Sequence, residues 1–364
     1  MYEENEARRL SVQAARRLLE AGLTARTWGN ISARVAKDRF VITPSGLAYE
    51  TLRPEQLVLM DLSGRVLGGG RPSSEKGIHA DAYRLHPEVR FVIHTHQDNA
   101  SVASTAGLDL TPSHPLLNGC VPCAAYGMPS TDRLRRAVAE QEKQWPESPA
   151  ILLRSHGALC MGASMEDAFA AAEALETVCG EFIQARLGHL PRSRVPDWGV
   201  SQRRGDAFIL TRYGRRTAFA VRAERHPLAA AIHAAIYQNS VVQYIAHETA
   251  PEVILAGRRG VTMRPMLDDL AQIAGVDIRC AGASPGQAAA ALRNRNAVLL
   301  RGAGALCTGM TEDDVLAVRA ILRKGCRAWL LADTVPSCRP LGRIDAWMQR
   351  TIYVMQYAKK KNSQ

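Results

Sequence analysis

The chain has 364 residues, 46% of them hydrophobic and 22% charged, a composition that excludes disorder and is long enough for two domains. A formal net charge of +11 invites nucleic-acid binding, yet the basic residues are mostly arginines spread along the whole chain, and aromatics make up only 5%. Neither a basic tract with interleaved aromatics nor a set of base-stacking platforms is written here, so no nucleic-acid partner is expected.

From Met1 to Arg17 charges alternate with apolar residues, without the apolar run of a secretory leader. No segment has the composition of a membrane span, and the eight cysteines are scattered without a disulfide-like framework. Reduced thiols in the cytoplasm and no membrane partner are therefore expected. Gly29-Asn30-Ile31-Ser32 and Thr43-Pro44-Ser45-Gly46 follow as short turns rich in hydroxyl and amide groups, bounded by strands. Such turns suit an oxyanion, through backbone N–H and Oγ donors. Leu57 to Asp61 reads as a strand closed by the Ser63-Gly64 turn. The Gly68-Gly69-Gly70 loop then runs through Ser73-Ser74-Glu75 into a helix. Two readings of that start stay open: an anion site built from two serines and fresh N–H groups, or a plain N-cap with an acid in its first turn.

His94-Thr95-His96 closes the apolar strand Arg90 to Ile93. In a strand, residues i and i+2 share a face, so both imidazoles aim at one point where the strand ends. His156 sits at a second strand end, where Gly157 permits a tight turn. Three imidazoles with a vacant place match a catalytic zinc site, although manganese or cobalt would also suit them. His79, inside a helix, and His86, before Pro87, read as packing or surface residues, whereas His114 lies in a Pro-rich loop suited to a substrate mouth. Cys120-Val121-Pro122-Cys123 lacks a second pair and reads as a loop with idle thiols.

One pattern is written twice. Ala150-Ile151-Leu152-Leu153-Arg154-Ser155-His156-Gly157-Ala158-Leu159-Cys160 is echoed by Ala297-Val298-Leu299-Leu300-Arg301-Gly302-Ala303-Gly304-Ala305-Leu306-Cys307. Ser164 and Thr311 follow as helix caps, each with an acid three residues on, Asp167 or Asp314. Ile78-His79 with Tyr83 is echoed by Ile232-His233 with Tyr237. The strand at Leu57 to Asp61 is matched with Phe208 to Thr211, so the second copy is expected to start there, without a counterpart to residues 1 to about 50. Where the first copy has His94 and His96 the second has His247 and Thr249, and Ala303 replaces His156. Leu228-Ala229-Ala230-Ala231 stands where Glu75 and its serines would be, so the second copy should be catalytically dead. The Pro-, Gly- and Arg-bearing stretch from Pro191 to Gly199 reads as a linker. The expected domains are 1–190 and 205–358, with 191–204 between them.

Taken together, Gly29-Asn30-x-Ser32, Thr43-Pro44-Ser45-Gly46, Ser73-Ser74-Glu75, His94-x-His96 and His156-Gly157 resemble, in order and spacing, the class II aldolase and adducin superfamily, and its L-fuculose-phosphate aldolases most. The resemblance covers the first half. It implies an α/β fold of two tandem domains, each a mainly antiparallel sheet flanked by helices. It also implies zinc held by His94, His96 and His156, Glu75 as acid/base, and the phosphate of a small ketose phosphate held by Gly29, Asn30, Ser45, Gly46, Ser73 and Ser74. The implied reaction is retro-aldol cleavage to dihydroxyacetone phosphate and an aldehyde. Dehydratase and epimerase chemistry in the same superfamily are the alternatives, and an adducin-like scaffold a lesser one. In the epimerases an Asp usually follows the serine pair, whereas here it is Glu75. Family sites are often completed by a tyrosine, for which Tyr126, Tyr353 and Tyr357 are candidates. Family members assemble as rings of four, which implies a homodimer of this chain forming a pseudo-tetramer of live and dead domains.

Overall fold

The computed structural model describes residues 1–24, 28–191 and 194–362, with side chains as far as Met355. It divides into two compact units, Met1–Arg186 and Leu187–Gln364.

The first unit opens with helix α1 (Glu4–Glu20), capped by the Glu3 carboxylate on the Asn5 and Glu6 N–H groups. Strands β1 (Asn30–Ala36), β2 (Arg39–Ile42), β3 (Val58–Asp61) and β4 (Val66–Gly68) lead to α2 (Lys76–Leu85) and β5 (Phe91–Thr95). Then come α3 (Asp98–Ser104), β6 (Cys123–Ala124), α4 (Asp132–Gln144), β7 (Ala150–Leu153), β8 (Gly157–Gly162) and α5 (Met165–Leu187). The eight strands form one sheet in the order β4-β3-β2-β1-β5-β8-β7-β6. Every pairing is antiparallel except β6 with β7.

Register decides what each face of this sheet carries. Ser32 lies opposite both Ile42 and Val92, and Asn30 lies opposite His94, so these side chains share one face. Phe40, Ile42, Val58, Met60, Val92, Ile151, Leu153 and Leu159 form the apolar core there with Ile78, Tyr83, Leu134 and Val138 of α2 and α4. The alternate residues Ile31, Ala33, Val41 and Ile93 are buried as well, so both faces are covered. Strand β5 accordingly has no polar-out alternation, and its His94 is held in a packed interior.

The second unit repeats the plan. Strands β9 (Val200–Arg204), β10 (Ala207–Arg212) and β11 (Arg215–Ala220) precede α6 (Leu228–Gln238), β12 (Tyr244–Glu248), α7 (Pro251–Arg258), α8 (Asp268–Ile273) and β13 (Cys280–Ala281). Helix α9 (Pro285–Ala291), β14 (Ala297–Leu300), β15 (Gly304–Gly309), α10 (Glu312–Leu331) and α11 (Arg343–Asn362) complete it. Its order, β11-β10-β9-β12-β15-β14-β13, is that of the first sheet without the edge strand β4.

Two expectations are corrected by this order. Residues 200–204, read as linker, are strand β9 at the centre of the second sheet, paired with β10 and β12. The second copy therefore starts before Phe208 and has counterparts of both β1 and β2. Phe208 to Thr211, matched with β3 by sequence, lies in β10 and takes the place of β2. The physical reason is composition: Val200-Ser201-Gln202-Arg203-Arg204 buries only its serine and presents no apolar alternation to read.

Candidate metal and active site

Strand parity brings Asn30, Ser32 and His94 to the face covered by α2. Gly29 lets β1 enter there: its φ is +86°, and a Cβ would stand 2.4 Å from the His94 carbonyl oxygen. The third histidine arrives on the turn between β7 and β8. The left-handed residue of that turn is Ser155, at φ +62°, rather than the glycine. Gly157 is needed for a different reason, because a Cβ there would lie 2.2 Å from the Thr95 carbonyl oxygen.

His94, His96 and His156 converge, all buried, with their ligand atoms within 4.8 Å of one another. His94 Nε2 lies 3.1 Å from His96 Nε2. Zinc–nitrogen bonds of about 2.0–2.1 Å in a tetrahedron set neighbouring nitrogens roughly 3.3 Å apart, so this spacing fits an ion between them. The His94 tautomer fits too: Nδ1–H donates to the Ala158 carbonyl at 2.9 Å, which leaves the Nε2 lone pair inward. Three imidazoles with no thiolate can hold a divalent ion while leaving a coordination place for another ligand.

Glu75 stands at the N-cap position of α2, yet its side chain caps nothing in the helix. Its Oε1 lies 3.1 Å from His156 Nε2 and its Oε2 3.3 Å from His94 Nε2. Burial alone would raise its pKa, but the charge and hydrogen bonds of His94 and His156 pull harder, and it ends well below the usual carboxylate range. The plain N-cap reading is thus not the use made of this carboxylate. Ser73 Oγ accepts the Glu75 N–H at 3.3 Å instead.

The residues matched to a phosphate site gather around this centre. Thr43 joins Ile31 through Oγ1 and N–H, Ser73 N–H donates to the Thr43 carbonyl at 3.1 Å, and Ser45 N–H to the Arg71 carbonyl at 3.0 Å. The turns bearing Gly29, Ser45 and Gly46, and Ser73 and Ser74, are thereby stitched side by side, with Ser45, Gly46 and Ser74 exposed. Asn30 is different. It is buried, its Nδ2 donates to Glu75 Oε2 at 3.1 Å, and its Oδ1 meets His79 Nε2.

Sequence reasoning missed three features. His79, read as packing, is fully buried and links Asn30 to Ser32. The echo of Ile78-His79 and Tyr83 in the second copy was the signal for it. Trp28 stacks on His96, with ring centres 6.3 Å apart. Ser74 and Glu75 also border a cleft of about 320 Å³ lined by Lys76, Ser130, Thr131 and Arg135. His114 caps a short turn, its Nδ1 accepting the Leu116 N–H at 3.3 Å. Tyr126 follows β6 and Tyr353 lies on α11, while the side chain of Tyr357 lies outside the described residues. Cys120 and Cys123 are free thiols, and burial pushes Cys123 up to about 12, so it is inert.

The second unit reaches the same place with other residues. His247 holds the register position of His94, opposite Leu306 as His94 is opposite Leu159. Its Nδ1 accepts the Trp198 N–H at 3.0 Å, and its Nε2–H donates to the Ala303 carbonyl at 2.7 Å. The Asp197 carboxylate, 3.3 Å from the same Nδ1, is engaged by the Gly199 N–H at 2.8 Å. With both nitrogens satisfied and Trp198 stacked 4.6 Å away, this ring is a structural residue.

The profile of the class II aldolase and adducin N-terminal domain matches residues 9–183 and again 209–330. The chain belongs to the class II aldolase and adducin family. The first half is similar to a 5-methylthioribulose-1-phosphate/5-deoxyribulose-1-phosphate aldolase of Escherichia coli O45:K1, 30% identical over 177 residues, which are 48% of this chain and 81% of that protein. Among solved structures, an L-fuculose 1-phosphate aldolase is 28% identical with a TM-score of 0.47, covering 50% of this chain and 88% of its own. The L-fuculose-1-phosphate aldolase of Thermus thermophilus is 29% identical with a TM-score of 0.43, covering 49% and 93%. Among the described residues, no helix is long and apolar enough to cross a membrane.

Proposed function

We propose that the first unit is a metal-dependent lyase that cleaves a small ketose phosphate by retro-aldol chemistry, with His94, His96 and His156 as ligands of zinc. The observation that carries the reading is the convergence of three imidazole nitrogens and the Glu75 carboxylate, drawn from four separate stretches of chain, on one buried point. A divalent ion bound there supplies Lewis acidity to the carbonyl and hydroxyl oxygens of the substrate. Glu75, ionised and held beside the histidines, is placed to take the hydroxyl proton as the carbon–carbon bond breaks and to return a proton to the product carbon. The turns bearing Gly29-Asn30 and Ser45-Gly46, with the Ser73 and Ser74 hydroxyls at the start of α2, bind the phosphate and orient the sugar. A ketose 1-phosphate is the proposed substrate class, supported by the similarity to the 5-methylthioribulose-1-phosphate/5-deoxyribulose-1-phosphate aldolase.

Metal analysis of the purified protein, then a panel of ketose 1-phosphates assayed for dihydroxyacetone phosphate, tests the reading. About one ion per chain and cleavage abolished in His94→Ala and Glu75→Gln are expected. Protein that binds no ion and cleaves none of the panel would overturn it. Loss of water or inversion of a hydroxyl, seen by NMR of the same mixtures, would replace the cleavage with a dehydratase or epimerase step.

A further inference from the structure

The turn that leads into α4 carries a strained residue whose side chain reaches the start of α2. Thr131 N–H donates to the Met128 carbonyl at 3.3 Å, closing a four-residue turn with Pro129 second and Ser130 third. Proline suits the second place of such a turn, and a left-handed third residue is ordinarily glycine. Here it is Ser130, at φ +65°. The turn is fixed to its helix, because Thr131 caps α4 and a Cβ on Gly127 would stand 2.4 Å from the Leu134 nitrogen. Ser130 is exposed, so core packing does not account for it. Its hydroxyl instead donates to Ser74 Oγ at 2.7 Å, across 56 positions of sequence, and both serines line the cleft beside α2. A hydroxyl that accepts a hydrogen bond directs its own O–H elsewhere and becomes a better donor, so this bond leaves the Ser74 proton for an oxyanion.

The second unit supplies the control. It keeps a Ser–His–Tyr triad, Ser201 with His233 and Tyr237, at the distances of Ser32 with His79 and Tyr83 in the first. Matching His233 with His79 puts Leu228 at the place of Ser74. Its sheet also ends alike, β13 lying parallel to β14 as β6 does to β7. Seven residues, 125–131, then separate β6 from α4, whereas three, 282–284, separate β13 from α9. None of those three has a left-handed φ. The Pro129-Ser130 turn is thus present where Ser74 stands and absent where a leucine replaces it.

We propose that Ser130 is a positioning residue of the phosphate subsite, holding the Ser74 hydroxyl as a donor to the substrate phosphate. The proposal rests on the lyase reading above and adds to it a residue of the β6–α4 turn. A left-handed serine costs the fold stability that glycine would not, and the bond to Ser74 is what this conformation provides. Strain and hydroxyl therefore act in opposite directions, the one on folding and the other on binding, and a single substitution removes both.

The test is Ser130→Gly in the full-length, metal-loaded protein, with inorganic phosphate binding followed by calorimetry and ketose 1-phosphate cleavage by steady-state kinetics. Phosphate affinity should fall and KM rise, each about five-fold, the effect of one hydrogen bond, with kcat within about two-fold of wild type. The midpoint of thermal unfolding should stay or rise, since glycine relieves the strain. Ser74→Ala should weaken phosphate binding at least as much, and adding Ser130→Gly to it should cost nothing further, because the two hydroxyls act in series. Wild-type phosphate affinity in Ser130→Gly, a lowered unfolding midpoint, or a further loss in the double variant would overturn the proposal. So would a wild type that binds no inorganic phosphate. If the wild type bound phosphate yet cleaved no ketose phosphate, the lyase reading would fall by itself, and the phosphate affinities of wild type and Ser130→Gly would still decide the role of Ser130.

Discussion

His94 and His247 occupy the same register position in two sheets of the same order, and the residues around them separate their uses. At the end of β7 the first unit places the His156 imidazole, 3.1 Å from Glu75. At the end of β14 the second unit places Ala303, whose carbonyl takes the His247 proton at 2.7 Å. Around that difference the scaffolds agree closely. Gly157 and Gly304 each admit a neighbouring carbonyl at a place where a Cβ would stand 2.2 Å from it, and the Ser–His–Tyr triad is common to both. The fold and the chemistry are thus written in separate residues: backbone approach and the triad hold the sheet to its helix, while Asn30, Glu75, His96 and His156 carry the site and can be lost together without losing the sheet.

The largest expected effect comes from giving the first unit the residue of the second. His156→Ala should remove bound metal and lower kcat by about 10³-fold or more, as read by metal analysis and product release. His247→Ala should change neither metal content nor kcat, costing only the stability of a buried, doubly bonded ring. Metal loss in His247→Ala would show that the second unit is not chemically silent.

Gly157→Ala and Gly304→Ala sharpen the likeness. Each new methyl meets a strand carbonyl, so each should destabilise its own unit by about 1–3 kcal/mol in denaturant unfolding. Only Gly157→Ala should also weaken metal binding, because the residue before it is a proposed ligand and the His94 ring lies 3.4 Å from the new Cβ. Equal metal affinity in the two variants would mean that the turn does not hold His156 in place.

How far this could be read in advance depends on range. The histidine pair was legible because strand parity is local, and His156 because the repeat marked its strand end. The replacement of a histidine in the second copy was legible by the same alignment of Ala303 with His156. Strand β9 was not, since Arg203 and Arg204 look like linker and only the sheet explains their place. The Asn30–Glu75 bond spans 45 positions and follows from register, which composition does not encode. His79 carried its signal in the repeat, but a helical histidine has an ordinary packing role as its first explanation.

Glu142 offers a difference of pH response between the units. It lies buried on α4, where burial first and the charge of Asp81 second push its carboxyl up to about 8. Its counterpart helix α9, with sequence PGQAAAA, has no acid at all. The sign follows from linkage. Below the ordinary carboxyl pKa both folded and unfolded forms are protonated and nothing is lost. As pH rises from about 4.5 to about 8 the unfolded chain ionises while the folded one stays neutral, so the first unit loses stability, and above about 8 the loss levels off. Glu142→Gln should therefore be nearly neutral at pH 4.5 and stabilise by about 2–4 kcal/mol at pH 8. A constant difference across that range in urea titrations would show that Glu142 does not titrate late.

The smallest effect lies at the caps of the two long helices. Thr311 Oγ1 accepts the Asp314 N–H at 3.1 Å while the Asp314 carboxylate accepts the Thr311 N–H at 3.1 Å, a reciprocal pair. In the first unit Ser164 Oγ likewise accepts the Asp167 N–H at 3.1 Å, but its hydroxyl donates to the Asp167 carboxylate at 2.8 Å. The Asp314 carboxylate also accepts the Met310 N–H at 3.2 Å, so one cap satisfies three backbone donors and the other satisfies one while joining two side chains. Removing a hydroxyl cap costs about 1 kcal/mol, so Thr311→Ala and Ser164→Ala should each lower stability by about that amount. Removing the acid separates them. Asp314→Ala strands the backbone N–H groups of Met310 and Thr311 and should cost more than Asp167→Ala, which frees only a hydroxyl that water can serve. Equal costs for the two acids would mean that the repeat preserves this cap in full, and that the two helix starts differ only in the hydrogen bonds the side chains happen to make with each other.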